Sequence, residues 1–331
     1  MATWRKYRER LEELILKYKK LFPDFRRGTI DYDDLGVRHK GNIFIDEWGC
    51  VWKFEADGLQ GQVVKHPLEN WNLLNKLKIP DPEEGLPVEG GPMVPWSLVE
   101  KRVKETKARG GLVVVGLPHG FFFQRLYYLR GFINLMKDFI RGDERLWRLI
   151  DILTEYNLEL VKKVLRLGVD VVAFGDDLGM QNRMPISPRL FRRHVFPAYK
   201  RIFSTVRDAG VHVRLHTDGH VIEVVDQLIE AGVSILNIQD RVNGLDNIER
   251  YCKGRVCIDL DIDRQHLLPF GTRGEIKRYL KDVIYRLGSR RGGLMLSTDI
   301  YPDVPLENID SLCRTLEEYM YLHLKLQEHE E

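Results

Sequence analysis

The chain of 331 residues carries 51 basic and 49 acidic side chains, interspersed along the sequence, for a net charge of +2. This balance argues against a nucleic-acid or anionic membrane partner, and no apolar run approaches the ~20 residues needed to cross a bilayer. Four cysteines are too few for a disulfide scaffold here, and no apolar leader follows Met1, which predicts a cytoplasmic protein with reduced thiols.

The first hundred residues combine an amphipathic helix with irregular chain. Residues 4–20 place apolar side chains on one stripe, which predicts a helix that packs against the rest of the protein. Residues 41–48 alternate as a short strand that ends in Asp46 and Glu47. From there to residue 95 the chain is rich in glycine and proline. A stretch this long and irregular predicts a lid or a binding loop.

A regular alternation of strands and helices begins at residue 111. Strands are predicted at 111–117, 169–174, 211–216, 233–238, 256–260 and 293–296, and helices at 124–140, 143–167, 188–209, 221–231, 273–287 and 305–325. This alternation indicates the α/β class with a parallel sheet. No G-x-G-x-x-G follows the first strand, which favours a (β/α)8 barrel over an open dinucleotide-binding sheet. We predict one barrel domain over 1–331, with an N-terminal extension at 1–40, the barrel at 41–325 and its eighth strand near 29–33.

Polar side chains follow the predicted strands, at the face where such a barrel carries its chemistry. A lone carboxylate there is usually a helix cap, but packed carboxylates repel one another. The set therefore requires a cation, a shared proton or a basic substrate, and zinc accepts a mixture of histidine and aspartate. The residues are Asp46, Glu47, His119, Asp176, Asp177, His216, Asp218, Asp240, Asp261 and Asp299.

Several segments of the chain resemble the uroporphyrinogen decarboxylase superfamily. They are GDDLG (175–179), ISPRLFRRHVFPAYK (186–200), LHTDG (215–219), DQLIEAGVSILNIQ (226–239), LLPFGT (267–272) and YPDVPLEN (301–308). The resemblance covers roughly residues 40 to 325 and implies a (β/α)8 barrel. The superfamily includes the decarboxylases of haem synthesis and zinc-dependent, corrinoid-linked methyltransferases. The DEWG at 46–49 and PDP at 80–82 resemble the methyltransferase-like branch.

Departures from the family pattern bear on the reaction. The decarboxylases grip substrate carboxylates with an early FRQAGRY motif, which this chain lacks, and Thr298 stands at the position of their late histidine. The zinc methyltransferases hold their metal through His-x-Cys and a later cysteine. His216 matches the histidine, Asp218 stands at the first cysteine position, and Asp299 lies near the second. The resemblance therefore implies a zinc site of His216, Asp218 and Asp299.

We assign candidate roles to the polar residues at and near the strand ends. Catalytic roles are predicted for Asp46, which lies near the family's catalytic aspartate, and for Asp177, His216 and Asp299. Substrate contacts are predicted for His119, Asp176, Gln181, Gln239 and Tyr301.

These features favour a methyltransferase that moves a methyl group between a small methylated compound and a corrinoid on a partner protein. Two alternatives remain open. One is a decarboxylase acting without a cofactor on a uroporphyrinogen-like tetrapyrrole, and the other is a non-catalytic tetrapyrrole- or corrinoid-binding protein. A homodimer is compatible with the resemblance, and neither nucleic acid nor membrane is an expected partner.

Overall fold

The structure, a computed structural model, describes residues 1–326, and it begins with two short helices. Helix α1 (Ala2–Tyr7) and helix α2 (Glu9–Lys17) meet at Arg8, whose φ of 48° interrupts the helical backbone. The side chain of Arg8 forms an ion pair of 2.9 Å with Asp33 at this bend. The prediction of one continuous helix over residues 4–20 is therefore wrong.

The region between residues 41 and 95 contains the predicted first strand, at Ile43–Ile45, and four further short strands where one long irregular stretch was predicted. Strands β1 (Ile43–Ile45), β2 (Val51–Lys53) and β3 (Gln62–Lys65) form an antiparallel sheet, and β4 (Leu86–Val88) pairs with β5 (Gly91–Val94) as a hairpin. A tight turn with Gly49 at a φ of 85° sends β2 back along β1, so β1 does not join the parallel sheet as predicted. Residues 29–33 form no strand, so that prediction is wrong as well.

Six parallel strands form the central sheet and lie in the order in which they occur in the sequence. They are β6 (Val114–His119), β7 (Val171–Gly175), β8 (His212–Thr217), β9 (Ile235–Gln239), β10 (Cys257–Asp261) and β11 (Leu294–Ser297). This sheet, with helices between its strands, confirms the predicted α/β class.

Helices precede the parallel sheet, connect its strands and follow its last strand. They are α3 (Trp96–Ala108), α4 (Phe123–Arg130), α5 (Phe132–Arg141), α6 (Glu144–Arg166), α7 (Pro188–His194), α8 (Phe196–Asp208), α9 (Val225–Ala231), α10 (Asp240–Asn243), α11 (Leu245–Cys252), α12 (Leu267–Phe270), α13 (Arg273–Leu287) and α14 (Leu306–Tyr319). Short 3-10 turns occur at Trp71–Lys76, Ile222–Val224 and Leu322–Lys325. Within residues 1–326, no helix combines the length and apolar character that crossing a bilayer requires.

Leu117 of the first strand and Ser297 of the last strand line the same cavity, which shows that the sheet is strongly curved. Within residues 1–326, no further strand is hydrogen-bonded to the outer edge of β6 or β11. The sheet thus contains six of the eight parallel strands expected of the predicted barrel. The β4–β5 hairpin packs beside β6, which brings the turn between β4 and β5 close to the end of that strand.

Two apolar clusters hold the elements together. The larger one fills the space between the parallel sheet and its helices, and the smaller one packs Leu11 and Leu14 of α2 against α13 and α14. Helix α1 lies along the segment that follows β11, where the Tyr7 hydroxyl donates a hydrogen bond of 2.7 Å to the carbonyl of Val304. The first helix therefore supports a segment at the rim of the cavity.

Candidate active site

A cavity of about 380 Å³ lies at the carboxyl ends of the parallel strands. In sheets of this kind the loops and strand ends at this side carry the functional groups. Every parallel strand contributes to the lining, which includes Leu117, His119, Phe174, Gly175, Arg214, His216, Asn237, Asp261 and Ser297, together with Arg264, Thr298 and Asp299 from the following loops.

Two histidines face each other across a glycine at the end of the sheet. His119 of β6 is in register with Gly175 of β7, which is in register with His216 of β8. A Cβ atom at Gly175 would lie 2.5 Å from Cδ2 of His119, so glycine is the residue that leaves room for the ring. The centres of the two imidazole rings are 5.3 Å apart.

His119 is held between two carboxylates. Its Nδ1 lies 3.2 Å from Glu89, which sits in the turn of the β4–β5 hairpin, and its Nε2 lies 3.2 Å from Oδ1 of Asp177. Burial lowers the pKa of His119, but the hydrogen bonds to Asp177 and Glu89 outweigh burial and raise the pKa to about 11. Without a competing cation, this imidazole therefore carries a proton on each nitrogen.

His216 is oriented by a neighbouring amide. The amide nitrogen of Asn237 donates to the carbonyl of Asp259 at 2.8 Å, so Oδ1 of Asn237 faces His216 and lies 2.5 Å from its Nδ1. The proton of a neutral His216 is therefore on Nδ1. Its Nε2 points to the cavity, 3.7 Å from Oδ1 of Asp177 and 3.5 Å from Oδ1 of Asp218.

Asp177 is fixed between the two histidines by the chain around it. Gln124 makes a reciprocal pair with it, because the Gln124 amide donates to Oδ2 of Asp177 at 3.1 Å and its carbonyl oxygen accepts from the Asp177 backbone at 2.9 Å. The backbone amide of Asp218 donates to Oδ1 at 3.1 Å. Burial raises the pKa of Asp177, but the hydrogen bond and positive charge of His119 prevail, so the net pKa is lowered.

His119, Asp177 and His216 have the geometry of a metal-binding set. One donor atom from each residue lies within 4.8 Å of the others. Two imidazoles and one carboxylate are a known ligand set for catalytic zinc, which keeps a further position open for substrate or water. Each histidine also has its outer nitrogen fixed, by Glu89 or by Asn237, as metal-binding histidines do. These three residues fit a zinc ion.

The metal set predicted from the sequence is only partly brought together. Asp218 lies beside His216, but its Oδ2 is bound by Arg264 at 2.7 Å, and the other terminal nitrogen of Arg264 lies 3.0 Å from Asp299. The guanidinium therefore already supplies positive charge to both aspartates. His119 and Asp177, predicted for substrate contact and catalysis, are the residues that join His216 in the fitting set.

Arg264 is surrounded by three carboxylates, which we call the Arg264 cluster: Asp218, Asp261 and Asp299. Oδ2 of Asp261, at the end of β10, lies 3.3 Å from Nη1 of Arg264 in an ion pair without a hydrogen bond. Oδ1 of Asp218 also has no hydrogen bond and lies 3.5 Å from Nε2 of His216. Burial is the main cause that raises the pKa of Asp261 to about 7, with Asp218 and Asp299 adding to the effect of burial and Arg264 opposing it. The cluster thus contains more acidic groups than its arginine neutralises.

A second arginine occupies the interior of the sheet. Arg214 of β8 contacts the buried carboxylate of Asp259 through Nε at 2.8 Å and through Nη2 at 2.6 Å. Ser297 donates to the other oxygen of Asp259 at 2.8 Å. Because Asp259 neutralises Arg214, this pair forms a polar wall of the cavity that carries no net charge.

Five aspartates predicted for the site are not among the cavity-lining residues: Asp46, Asp176, Asp177, Asp218 and Asp240. The carboxylates of Asp46 and Asp176 are bound elsewhere in the fold. Asp46 is buried beneath the β1–β3 sheet and binds Arg125 at 2.7 Å. Asp176 is fully buried and accepts hydrogen bonds from backbone amides at the start of α4 and from the Tyr199 hydroxyl at 2.7 Å. Its carboxylate therefore caps a helix, although its neighbour Asp177 faces the histidines.

The remaining predicted substrate contacts lie around the cavity. Gln239 accepts a hydrogen bond from the backbone of Gly219 at 2.8 Å and so fixes the turn after His216. The ring of Tyr301 lies 5.6 Å from the Arg264 guanidinium at the rim, and Gln181 is exposed. None of the three lines the cavity itself.

Sequence reasoning missed four residues that organise the site: Glu89, Gln124, Asn237 and Arg264. The sequence could have indicated two of them, since Asn237 lies inside a predicted strand and Arg264 follows the end of the predicted strand 256–260 by four residues. Gln124 opens a predicted helix directly after the strand of His119. Glu89 had no signal, because the long irregular region gives no indication of which strand it approaches.

Comparison with known proteins identifies a family whose sequence profile matches most of this chain. Residues 43–319 match the sequence profile of the family described as Uroporphyrinogen decarboxylase (URO-D). A uroporphyrinogen decarboxylase of Thermus thermophilus is 25% identical over 272 residues, which cover 78% of this chain and 72% of that protein.

Methyltransferases are also similar to this chain. The methylcobamide:CoM methyltransferase MtbA of Methanosarcina acetivorans is 23% identical over 280 residues, covering 83% of this chain and 76% of that protein. The solved structure of a methyltransferase from Methanosarcina mazei superimposes with a TM-score of 0.58 at 20% identity, covering 83% of this chain and 77% of that one. At this identity the superposition establishes a shared fold.

Proposed function

Because the chain belongs to the uroporphyrinogen decarboxylase family, we propose that it is a zinc-dependent methyltransferase that moves a methyl group between a small methylated compound and a corrinoid carrier protein. The observation that carries the proposal is the convergence of His119, Asp177 and His216 at the cavity. The similarity to MtbA, a methylcobamide:CoM methyltransferase, supports the reaction class. A cytoplasmic location with a soluble carrier partner belongs to the same proposal.

In this proposal the residues at the cavity have three roles: metal binding, orientation of the metal ligands and proton transfer. His119, Asp177 and His216 would hold the metal, while Glu89 and Asn237 keep the Nε2 atoms of both imidazoles directed to it. When bound, zinc lowers the pKa of an acceptor thiol or alcohol, so that the acceptor attacks the methyl group as an anion. Gln124 keeps Asp177 in place, and Asp218 lies close enough to His216 to accept a proton from a bound acceptor.

The family profile and the Thermus relative favour a second candidate, the decarboxylation of a tetrapyrrole. Its polycarboxylate substrate would need cationic side chains that are free to bind it. Both cavity arginines are instead paired, Arg214 with Asp259 and Arg264 with its cluster of three aspartates. We therefore rank this candidate below methyl transfer.

Metal content tests the proposal directly. We expect about one zinc per chain in protein purified without chelator, and a loss of that zinc in His119→Ala and Asp177→Asn. His212→Ala is the matched control for a histidine substitution, because His212 lies on the same strand as His216 but is exposed. Its metal content should equal that of the parent chain.

Activity separates the reaction classes once metal content is known. The zinc-loaded chain should demethylate methylcobalamin in the presence of a thiol acceptor, and the two metal-site variants should not. A parent chain that purifies with no zinc and takes up none would overturn the metal mechanism. A tightly bound coloured tetrapyrrole without turnover would instead indicate a binding protein.

A further inference from the structure

Two residues that support the metal-binding set meet at one hydroxyl group. Glu89 lies 3.2 Å from Nδ1 of His119, and Gln124 holds Asp177 through a reciprocal pair of hydrogen bonds. The hydroxyl of Tyr128, on α4, donates a hydrogen bond to Oε1 of Glu89 and lies 3.2 Å from the amide nitrogen of Gln124. One oxygen atom therefore joins the supports of two of the three metal-binding residues.

We propose that Tyr128 is a positioning residue of the metal site, which acts through Glu89 and Gln124 to direct His119 and Asp177 toward the metal. The inference rests on the proposed function, which supplies the metal, and adds a residue to it. Tyr128 is not among the cavity-lining residues, so its role is indirect.

The direction of each hydrogen bond at this hydroxyl is fixed by its neighbours. The side-chain carbonyl of Gln124 accepts from the backbone amide of Asp177, so the amide nitrogen of Gln124 faces Tyr128 and donates to it. The carboxylate of Glu89 only accepts, and it takes the one proton of the hydroxyl. Burial, together with the negative charge of Glu89, raises the pKa of Tyr128 far above its ordinary value, so this proton stays in place.

Glu89 depends on Tyr128 more than Gln124 does. Glu89 sits in the turn of the β4–β5 hairpin, and within residues 1–326 its carboxylate has polar contacts with His119 and Tyr128. Gln124 also lies 3.2 Å from the hydroxyl of Tyr127. Loss of the Tyr128 hydroxyl would therefore leave Oε1 of Glu89 without its donor, and the carboxylate would be free to turn away from His119.

The ring of Tyr128 is held independently of its hydroxyl. The residue is 7% exposed, and its ring packs edge-on against Trp52 with the ring centres 4.9 Å apart. Gly120, directly after His119, has a φ of 70°, and a Cβ atom there would lie 2.9 Å from Cε2 of Tyr128. The Tyr128→Phe substitution therefore keeps this packing and removes only the hydroxyl.

Zinc affinity, measured by competition with a chelator, tests the inference. We expect Tyr128→Phe to raise the zinc dissociation constant about 10-fold, because loss of an outer support of a metal ligand typically costs about 10–100-fold in affinity. Tyr156→Phe is the matched control, since Tyr156 is 6% exposed and its hydroxyl has no hydrogen-bond partner within the described residues. Its constant should stay within about twofold of the parent value. An unchanged constant in Tyr128→Phe would overturn the inference.

A double-mutant cycle shows whether Tyr128 acts through Glu89. Residues that act through one another give losses that do not add, whereas a general loss of stability adds to any other loss. Tyr128→Phe should therefore weaken zinc binding by a factor at least about twofold smaller in the Glu89→Gln background than in the parent chain. Full additivity would mean that Tyr128 does not act through Glu89, which would also overturn the inference.

A measurement that needs no metal separates this inference from the proposed function. In the metal-free chain the Nδ1 proton of His119 faces Glu89 and gives a nuclear magnetic resonance signal, which its absence in His119→Ala identifies. Tyr128→Phe should shift or broaden this signal, and Tyr156→Phe should leave it unchanged. If the parent chain takes up no zinc but the signal responds, the proposed function fails and the positioning of His119 stands. If the parent chain binds zinc and the signal does not respond, the inference fails and the proposed function stands.

Discussion

Asp46 and the aspartates near the cavity all lie at or just after the ends of strands, but they differ in how completely their carboxylate oxygens are hydrogen-bonded. The carboxylate of Asp46 accepts hydrogen bonds from the backbone amides of Trp48 and Cys50, from the Trp52 indole and from Arg125. At the cavity, Asp177 is shared by two histidines, and Asp218 and Asp261 each keep one oxygen without a hydrogen bond. That oxygen of Asp261 lies 3.3 Å from Nη1 of Arg264.

The contrast shows that burial and acidity do not by themselves indicate function. Asp46 and Asp261 are equally inaccessible, at 4% exposure each. Four donors within the fold satisfy Asp46, so it has no capacity for a ligand. Asp261 has one ion-pair contact, with Arg264, and no hydrogen bond through Oδ2, and it lines a cavity. The number of donors that the fold supplies distinguishes a structural carboxylate from one available for binding.

The largest effect on stability should come from Asp46→Asn. This substitution leaves Arg125 buried with only the more distant Glu47 as a counter-charge, which should lower the free energy of unfolding by about 3–5 kcal/mol. Urea denaturation measures the change, and zinc per folded chain should stay at the parent level. A double change of Asp46→Leu with Arg125→Met should recover part of the loss. If Asp46→Asn abolished zinc binding in folded protein, Asp46 would belong with the cavity aspartates.

His194 is a second kind of buried group for this comparison. It lies away from the cavity, and its ring nitrogens have no hydrogen-bond partner within the described residues. The ring packs against Trp147 and Phe139. Burial, with a smaller effect of Arg193, lowers its pKa from 6.5 to about 4. The unfolded chain therefore binds this proton more readily, and stability should fall as pH drops from about 6.5 to about 4.

The expected contribution of His194 to this loss is up to about 3 kcal/mol. Denaturation of the parent chain and His194→Phe across the pH range measures it, and the variant should show a shallower decline. His39→Gln, at an exposed position, is the control and should decline as the parent does. If the stability of all three proteins declined identically as the pH falls, His194 would not be the source of this pH dependence.

Glu89→Gln should weaken the metal site without dismantling it. The side chain fixes Nδ1 of His119 and keeps that imidazole directed at Asp177, and loss of such support typically costs about 10–100-fold in metal affinity. Competition with a chromophoric chelator gives the zinc dissociation constant. Glu84→Gln, on the same hairpin segment but exposed, should leave the constant unchanged. Equal constants for the parent and Glu89→Gln would remove Glu89 from the site.

The smallest effect is expected for Asp299→Asn. Its side chain is 73% exposed, and an ion pair this accessible contributes up to about 1 kcal/mol. Urea denaturation should therefore show a change within that range, far below the change for Asp46→Asn. A loss as large as that of Asp46→Asn would mean that exposure is a poor guide to the role of these aspartates.

The alternation of strands and helices predicted much of this architecture. Apolar runs located all six parallel strands, and their ends supplied His119, Asp177 and His216. Strand periodicity could do this because the carboxyl ends of parallel strands meet at one face.

Contacts that depend on side-chain direction could not be predicted in this way. Asp176 and Asp177 are adjacent in sequence, yet one caps α4 and the other faces the histidines. The expected pairing of Asp218 with Asp299 took no account of Arg264, whose long side chain reaches between them. Four of the five short strands before residue 95 were missed because each is only three or four residues long, and only β1 fell within a predicted strand.

The hydrogen bonds of helix α1 to the segment after β11 link residues that are very far apart in the chain. The contacts of Thr3 with Ile300 and of Tyr7 with Val304 each span 297 positions. Because synthesis proceeds from the amino end, α1 cannot dock until the chain up to Val304 has been made. A large sequence separation between contacting residues slows folding, because a long loop must be closed before the contact can form. The rim of the cavity should therefore be among the last parts of the protein to become ordered.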